Sequence, residues 1–275
     1  MFEKIAKAGL LLAFVGCLTG GQVKAQEDTF EWSGRLGDGQ VLTVKGIVGS
    51  IHAVLASGNQ AEVVARKRGT RGDFEQVAIE VEEVDDGFII CSVYGRWNHG
   101  EVRCLPGRQD WEDDDDRDRH RDRDMDVEVE YEVRVPAGVA FNGGMVSGEI
   151  EVRDLRSEVD VSTVAGDIFV STSGMAWANS VSGDIEVDMG DYEWDDMDFS
   201  TVSGDIILWL PDDFGAEIDF NSLSGDFDSD FDLTIRKQRT RRWVGTDLEA
   251  TIGGGGRELN LDTLSGDVEL RRKRG

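Results

Sequence analysis

Six carboxylates recur at one position of a short repeated motif in the second half of the chain. Each directly follows a glycine: Glu149, Asp167, Asp184, Asp205, Asp226 and Asp267. If the copies stack, these carboxylates lie about 5 Å apart along one edge, and such oxygen-rich rows suit Ca²⁺. Ser-Gly-Asp is also good turn chemistry, because Gly tolerates positive φ and Asp accepts hydrogen bonds from nearby backbone amides. We favour the turn interpretation and keep four of these residues as candidate metal ligands, namely Asp167, Asp184, Asp205 and Asp226.

No catalytic set is found elsewhere in the sequence. His52, His99 and His120 are scattered and lack the spacing of a metal site. Neither a G-x-S-x-G nucleophile elbow nor a phosphate-binding G-x-x-x-x-G-K-[ST] loop occurs, and the glycine run 253–256 is expected to be a loop between coils. We therefore predict no catalytic residues, no enzymatic activity and no cofactor, apart from the Ca²⁺ that the acidic row would suit.

The tryptophans do not predict an aromatic binding stripe. Trp177, Trp194 and Trp209 lie at different positions of the repeat. Because stacked copies would not align these rings, we expect them to pack in the core or at its edges.

Cys91 and Cys104 predict a disulfide. Cys17 lies in the N-terminal segment that we expect to be removed, so these two cysteines remain in an exported and oxidising setting. They flank a stretch, 94–100, that is typical of a loop or hairpin turn. A redox pair is the alternative, but its C-x-x-C spacing is absent.

The run 110–126 mixes acidic residues with several arginines. As an EF-hand loop it fails, because no Gly stands at the turn position and no Glu closes the loop. We predict a solvated loop over residues 108–126, with docking of a charged partner as the alternative.

The motif that carries the acidic row recurs along the second half of the chain. Its copies are 146–150, 164–168, 181–185, 202–206, 223–227 and 264–268, and their glycines are separated by 18, 17, 21, 21 and 41 residues. We interpret the last interval as two periods with one degenerate copy. Such repeats indicate units that bury their apolar faces against one another.

The side chains of each copy sort by parity when its Gly is numbered 0. Position −2 is Val or Leu in every copy, and positions −7, −5, +2 and +4 are mostly apolar. We predict that all of these positions face one interior. The switch of parity then requires a bend at −4 and −3, where Ser, Thr, Asn and Asp are common.

These strands predict an all-β fold, a parallel β-solenoid built from repeats of about 20 residues. Alternation within 41–65, 77–92 and 127–135 predicts strands in the first half as well, with a turn at 85–87.

We divide the chain into a signal peptide over 1–25, early irregular coils over 26–140 and regular solenoid repeats over 141–275. Two separate β domains that meet near Pro136 are the alternative. The basic residues 271–274 are expected to block the edge of the last coil.

The N terminus has the pattern of a secretory signal. Lys4 and Lys7 precede the apolar run 8–16, and small residues follow. We predict cleavage after Ala25, with lipid anchoring at Cys17 as the alternative, and a location in the periplasm or at the cell surface. No later segment approaches the ~20 apolar residues of a membrane-spanning helix.

The charge of the chain restricts its partners. The formal net charge is −27, and removal of the signal peptide makes it more negative. Nucleic acid and anionic lipid do not suit such a surface, whereas cations and basic proteins do. We expect the partner to be an envelope protein or a glycan.

The repeated motif resembles that of a bacterial putative-adhesin family, a domain of unknown function found in exported chains with Thr/Ser-[Val/Leu]-Ser-Gly-Asp-[Ile/Val] repeats. Segments 201–206 and 263–268 match it best, and the glycine run before the last copy, segment 91–94 and segment 135–139 are also similar. The resemblance implies a β-solenoid envelope protein and supplies no catalytic residues.

We expect a non-enzymatic envelope protein with an adhesin-like, scaffold or binding role. One alternative is a polysaccharide-acting β-helix enzyme, which predicts a groove where two or three acids converge beside Arg or Lys. The other is a calcium-stabilised surface repeat protein, whose melting temperature would depend on the metal.

Overall fold

Almost every described segment of the chain is β-strand. The computed structural model describes residues 26–69, 74–94, 104, 127–190, 196–240 and 245–273. The predicted signal peptide 1–25, with Cys17, and the predicted loop 108–126 lie outside these residues. No α-helix occurs in the described ranges, and one 3-10 turn covers Phe74–Gln76. None of the described segments forms a helix long and apolar enough to cross a membrane. The all-β prediction is confirmed.

The strands before residue 140 are β1 (Gln26–Arg35), β2 (Val41–Lys45), β3 (Gly49–Leu55), β4 (Gln60–Gly69), β5 (Val77–Val84), β6 (Gly87–Tyr94) and β7 (Glu128–Val135). The remaining strands are β8 (Ala140–Ser147), β9 (Ile150–Leu155), β10 (Val159–Ala165), β11 (Ile168–Thr172), β12 (Ala176–Ser182), β13 (Ile185–Met189), β14 (Met197–Ser203), β15 (Ile206–Leu210), β16 (Ala216–Ser224), β17 (Phe227–Ser229), β18 (Leu233–Thr240), β19 (Thr246–Ile252), β20 (Arg257–Ser265) and β21 (Val268–Arg272).

Strands β8 to β15 alternate between two sheets, which we name sheet A and sheet B. Sheet B holds β8, β10, β12 and β14, and sheet A holds β9, β11, β13 and β15. All neighbours among them are parallel, and equivalent motif positions pair: Val161 lies opposite Gly143 on one side and Ala178 on the other. Each copy of the motif therefore contributes one strand to each sheet.

The first half of the chain extends the same two sheets. β2 pairs in parallel with β8, and β3 pairs in parallel with β9 and β7. β4 is antiparallel to β1 and β7, so it does not follow the parallel pattern. β5 and β6 form an antiparallel hairpin around 85–86, and β7 covers the alternating segment before Pro136; both features agree with the sequence predictions.

The last motif copy is inserted between two earlier ones. β20 lies between β14 and β16 in sheet B, and β21 lies between β15 and β17 in sheet A. The prediction of a degenerate coil in the 41-residue interval is therefore wrong. That interval holds β18 and β19, which form an antiparallel hairpin at the edge of sheet B.

The end of the stack at β17 and β18 is not closed by the predicted basic tail alone. β21 is not the edge strand of sheet A, because β17 pairs with Val268–Leu270, and beyond β17 Arg271 and Arg272 pair with β15 alone. Instead the rings of Phe214 and Phe231 lie 6.1 Å apart at this end, and the Arg272 guanidinium lies 4.4 Å from the centre of the Phe231 ring. The edge strands there are the three-residue β17 and the bulged β18, which offer little surface for unwanted strand pairing.

Side chains from both sheets share one apolar core. Four motif positions are buried in nearly every copy, which confirms their assignment to the interior. They are −7 (Val159, Ala176, Met197, Ile218, Leu259), −5 (Val161, Ala178, Phe199, Phe220, Leu261), +2 (Ile150, Ile168, Ile185, Ile206, Val268) and +4 (Val152, Val170, Val187, Leu208, Leu270). The copy at 223–227 differs, because Phe227 is only half-buried and Ser229 follows it.

Candidate functional site

The chain turns from sheet B to sheet A at the repeated glycine. Gly183 has φ +149°, and a Cβ atom there would lie 2.0 Å from the carbonyl oxygen of Gly166 in the neighbouring copy. Gly204 and Gly266 are placed in the same way, at 2.1 Å and 1.8 Å from the preceding carbonyl oxygen in the stack. A side chain at this corner would therefore collide with backbone.

Position −3 faces the interior, so the predicted bend at −4 and −3 is wrong. Thr163 and Thr201 are each 4% exposed, and their hydroxyls donate to the carbonyl oxygens of Gly148 and Gly183 at 3.4 Å and 3.2 Å. Ser180 makes the equivalent bond to Gly166 at 3.4 Å. These three hydroxyls tolerate burial because they bond the turning backbone of the preceding copy. The buried hydroxyls of Ser222 and Thr263, at the same position of later copies, have no hydrogen-bond partner among the described residues.

The acidic row lies on the outer side of the same corner. In four of the six carboxylates, one oxygen accepts the backbone N–H of the equivalent residue in the next copy of the stack: Asp167 from Asp184 at 2.9 Å, Asp184 from Asp205 at 2.8 Å, Asp205 from Asp267 at 2.7 Å, and Asp267 from Asp226 at 2.8 Å. These bonds are the turn chemistry that the motif favours. Among the described residues, no group of three or more His, Cys, Asp or Glu side chains is placed to hold a metal.

A row of aliphatic side chains stands beside the acidic row, at position −2. We call this row the aliphatic ridge, and its members in spatial order are Val146, Val164, Val181, Val202, Leu264 and Leu223. Each is between 44% and 49% exposed. The prediction that position −2 faces the interior is therefore wrong, because the parity of the strand changes only after this position, at the glycine.

Sheet A is covered by ion pairs between its own strands. Arg68 binds Glu130 at 2.8 Å, and Arg271 binds Asp228 at 2.7 Å. Hydrogen bonding to Arg271 holds the pKa of Asp228 below its usual range. Similar pairs are Lys67–Asp28, Arg66–Glu132, Arg153–Glu151, His52–Glu151 and Lys273–Asp188. The charges of this face largely satisfy one another.

The outer face of sheet B has a different character. Asp160, Asp198 and Asp262 lie on its central strands, and no ion pair to them occurs among the described residues. Loss of surrounding water raises the pKa of Asp160. Burial, with the neighbouring charge of Asp262, raises the pKa of Asp198. Trp177 stands on this face beside Asp160 and is partly exposed.

A cleft of about 340 Å³ opens on sheet B next to Asp160. It lies over strands β6, β2, β8 and β10 and is bounded by the end of the β5–β6 hairpin. Its polar lining consists of Thr43, Asp86, Asn142, Glu158 and Asp160, and its remaining lining is mostly aliphatic. No Arg or Lys is among the described residues that line it. The volume is within the range of small-ligand sites.

The remaining residues singled out from the sequence are dispersed. The Cys91–Cys104 disulfide is present, with Cα atoms 5.8 Å apart. Trp209 stands on sheet A, where its indole N–H donates to Glu186 at 2.8 Å. His52 contacts Glu151 on the same sheet. None of these contributes to the corner or the cleft, and His99, His120 and Trp194 lie outside the described residues.

The ridge and the cleft were both missed by sequence reasoning, for different reasons. The constancy of Val and Leu at −2 was a visible signal, but it was attributed to the core. Thr43, Asn142, Asp160 and Trp177 occupy one row only in the folded sheet, and no motif links them in the sequence.

Comparison with known proteins identifies a family for the second half of the chain. Residues 140–271 match the family described as Toastrack DUF4097. No curated protein matches the sequence at a significant level.

Several solved structures are similar in part. One is a putative cell adhesion protein from Clostridium sporogenes, with 11% identity, 90% of this chain and 100% of that chain covered, and a TM-score of 0.45. Another is a putative adhesin from Bacteroides fragilis, with 9% identity, coverage of 92% and 100%, and a TM-score of 0.33. A third, from Parabacteroides distasonis, has 9% identity, coverage of 88% and 97%, and a TM-score of 0.29. At these values the likeness says nothing about what this chain binds.

The family match runs from the first residue of β8 into β21. It thus spans all six copies of the motif, with their corner glycines, and the hairpin that precedes the last copy. Residues 140–271 of this chain match the Toastrack DUF4097 family model, which confirms the resemblance to a bacterial adhesin-type domain of unknown function.

Proposed function

We propose that this chain is a non-enzymatic, adhesin-like binding or scaffold protein of the bacterial cell envelope, built as a parallel β-solenoid with coils of about 20 residues. The observation that carries the proposal is the aliphatic ridge. Six copies of the motif each leave a Val or Leu close to half exposed in one line along the stack.

Every copy has Val or Leu at the ridge position, although a solvent-exposed corner does not require an aliphatic side chain there. Outward position −6, by contrast, varies along the stack and holds Asp160, Trp177 and Asp198 in successive copies. Burial of the exposed half of a Val or Leu side chain under a partner contributes about 1 kcal/mol. A row of such side chains at about 4.8 Å spacing is a regular surface for an extended partner.

Other features support the solenoid and the envelope location. The in-register parallel pairing of β8, β10, β12 and β14 is what stacked coils require. The secretory pattern over 1–25 and the disulfide both suit an exported protein.

The cleft on sheet B supports a binding role over catalysis. A polysaccharide-acting enzyme predicts acids that converge beside Arg or Lys. The lining of the cleft includes Asp86, Glu158 and Asp160 but no described Arg or Lys.

The ridge is tested by binding of the purified mature protein to isolated bacterial envelopes. The variant carries Val164→Ser, Val181→Ser and Val202→Ser. The control carries Val81→Ser and Ile235→Ser, which remove exposed aliphatic side chains elsewhere. We expect the wild type and the control to sediment with envelopes and the ridge variant to bind about a hundredfold less. Equal binding of all three proteins, or binding by none, would reject the proposal.

A further inference from the structure

Three polar side chains that line the cleft on sheet B, together with Trp177 next to the cleft, form one row across neighbouring strands. Thr43 pairs with Asn142, Asn142 pairs with Asp160, and Asp160 pairs with Trp177. Because equivalent positions of paired strands share a face, all four stand on the outside of the sheet. At about 4.8 Å between strands, the row is about 14 Å long. It offers a hydroxyl, an amide, a carboxylate and an indole in sequence.

The hydroxyl of Thr43 is available to form a hydrogen bond with a ligand in the cleft. It is 8% exposed and lines the cleft. Within the part of the chain that the structure describes, its hydroxyl has no hydrogen-bond partner. This hydroxyl stands at the edge of a cavity that a ligand could fill, where a ligand can form a hydrogen bond with it.

The two ends of the row are apolar. Trp177 stands at one end, and Val84 and Ile89 line the cleft at the other. Between them stand only short hydrogen-bonding side chains. A ligand that suits this row has many hydroxyl groups along its edges and apolar faces that stack on an aromatic ring, which is the chemistry of a sugar chain.

The charge of the cleft selects among sugars. Asp86, Glu158 and Asp160 line it, and the described lining contains no cation to offset them. A uronate or a sulfated sugar would meet like charges here, whereas sugar hydroxyls and ammonium groups would donate to the carboxylates.

We propose that this cleft binds an uncharged or amino-bearing oligosaccharide, with Thr43, Asn142 and Asp160 hydrogen-bonded to its hydroxyl or amino groups and Trp177 stacked on a sugar face. The site is separate from the aliphatic ridge and goes beyond the function proposed above.

Calorimetric titration of the purified mature protein tests the ligand class. The probes are a glucosamine hexamer, cellohexaose and a galacturonate hexamer. We expect the first two to bind, the glucosamine hexamer more tightly, and the galacturonate hexamer not to bind. Failure of both non-anionic probes, or equal binding of the galacturonate hexamer, would overturn the proposal.

Three variants test the residues. Thr43→Val and Trp177→Ala are expected to weaken glucosamine-hexamer binding about tenfold or more, because each removes a contact that the sugar makes. Trp209→Ala is the matched control, since this indole lies on sheet A, and its binding should equal that of the wild type.

Stability measurements separate binding from folding. Thr43→Val should leave the melting temperature unchanged or raised, because its hydroxyl bonds nothing within the described protein. Unchanged sugar affinity in Thr43→Val and Trp177→Ala would overturn the proposal. The ridge variant should still bind the glucosamine hexamer, so failure of the ridge and failure of the cleft are distinguishable.

Discussion

At the scale of single residues, the corner glycine is the strictest requirement of the fold. Gly183→Ala would place a Cβ atom 2.0 Å from the Gly166 carbonyl oxygen at φ +149°. We expect a loss of about 3 kcal/mol or more in the free energy of unfolding, measured by urea denaturation. Gly254→Ala is the control, because nothing lies within 4 Å of its Cβ position. Equal stability of both variants would show that the copies do not approach each other as described.

The carboxyl of Asp198 makes stability depend on pH. Its pKa is raised, so the folded state holds the proton more tightly than the unfolded state, whose pKa is about 3.9. This contribution is present below the unfolded pKa and is lost as the pH rises through the folded pKa. Asp198→Asn should therefore raise the free energy of unfolding at neutral pH and change it little near pH 3.

Asp228 makes the free energy of unfolding depend on pH in the opposite direction from Asp198. Its pKa is lowered by Arg271, so its contribution is present above the unfolded pKa and is lost on acidification. Asp228→Asn should lower stability at neutral pH in the same urea titrations. A lower stability of Asp198→Asn at neutral pH would contradict the assignment of its carboxyl to a water-poor site.

The residue scale also shows why parity was only partly predictable. Apolar residues at −5 and +2 are buried, as expected from alternation. Position −2 is exposed and position −3 is buried, which reverses the expectation from polarity. At Thr163, Ser180 and Thr201 a backbone carbonyl of the preceding copy accepts the buried hydroxyl, and no sequence pattern indicates that partner.

At the scale of elements, strand identity followed from alternation but strand order did not. The copies of the motif are nearly equivalent, so each could pair with any other on local grounds. The order is decided by the β18–β19 hairpin, which separates β17 from β20 in the chain and lets the last copy lie between two earlier ones. The 41-residue interval was the available signal.

The interior position of β21 leads to a prediction about truncation. Deleting residues 266–275 removes a strand that pairs with β15 on one side and β17 on the other, together with the buried Val268 and Leu270. We expect loss of a cooperative thermal transition by circular dichroism, because the deletion separates β17 from the rest of sheet A and exposes the core that Val268 and Leu270 fill. Deleting only 274–275 should leave the transition unchanged. A folded long truncation would indicate that β21 is dispensable and lies at an edge.

At the scale of the whole molecule, the acidic row bears on whether metal holds the stack together. Each of Asp167, Asp184, Asp205 and Asp267 already accepts a backbone N–H from the next copy. We therefore expect the melting temperature, followed by calorimetry, to be the same in excess EDTA and in millimolar-range Ca²⁺. A marked rise of the melting temperature with Ca²⁺ would favour the calcium-stabilised alternative and indicate that the acidic row binds metal.

The positions of the ridge, the acidic row and both sheets all depend on the order in which the copies stack. Pairs of introduced cysteines test that order most directly. Ser203 and Ser265 pair across β14 and β20, within the Cα separation that a disulfide spans. Ser203 and Ser224 have β20 between them, at about 9.6 Å, which a disulfide does not span. After mild oxidation, peptide mass spectrometry should find the crosslink in Ser203→Cys/Ser265→Cys and none in Ser203→Cys/Ser224→Cys. A crosslink in the second variant without one in the first would contradict the account.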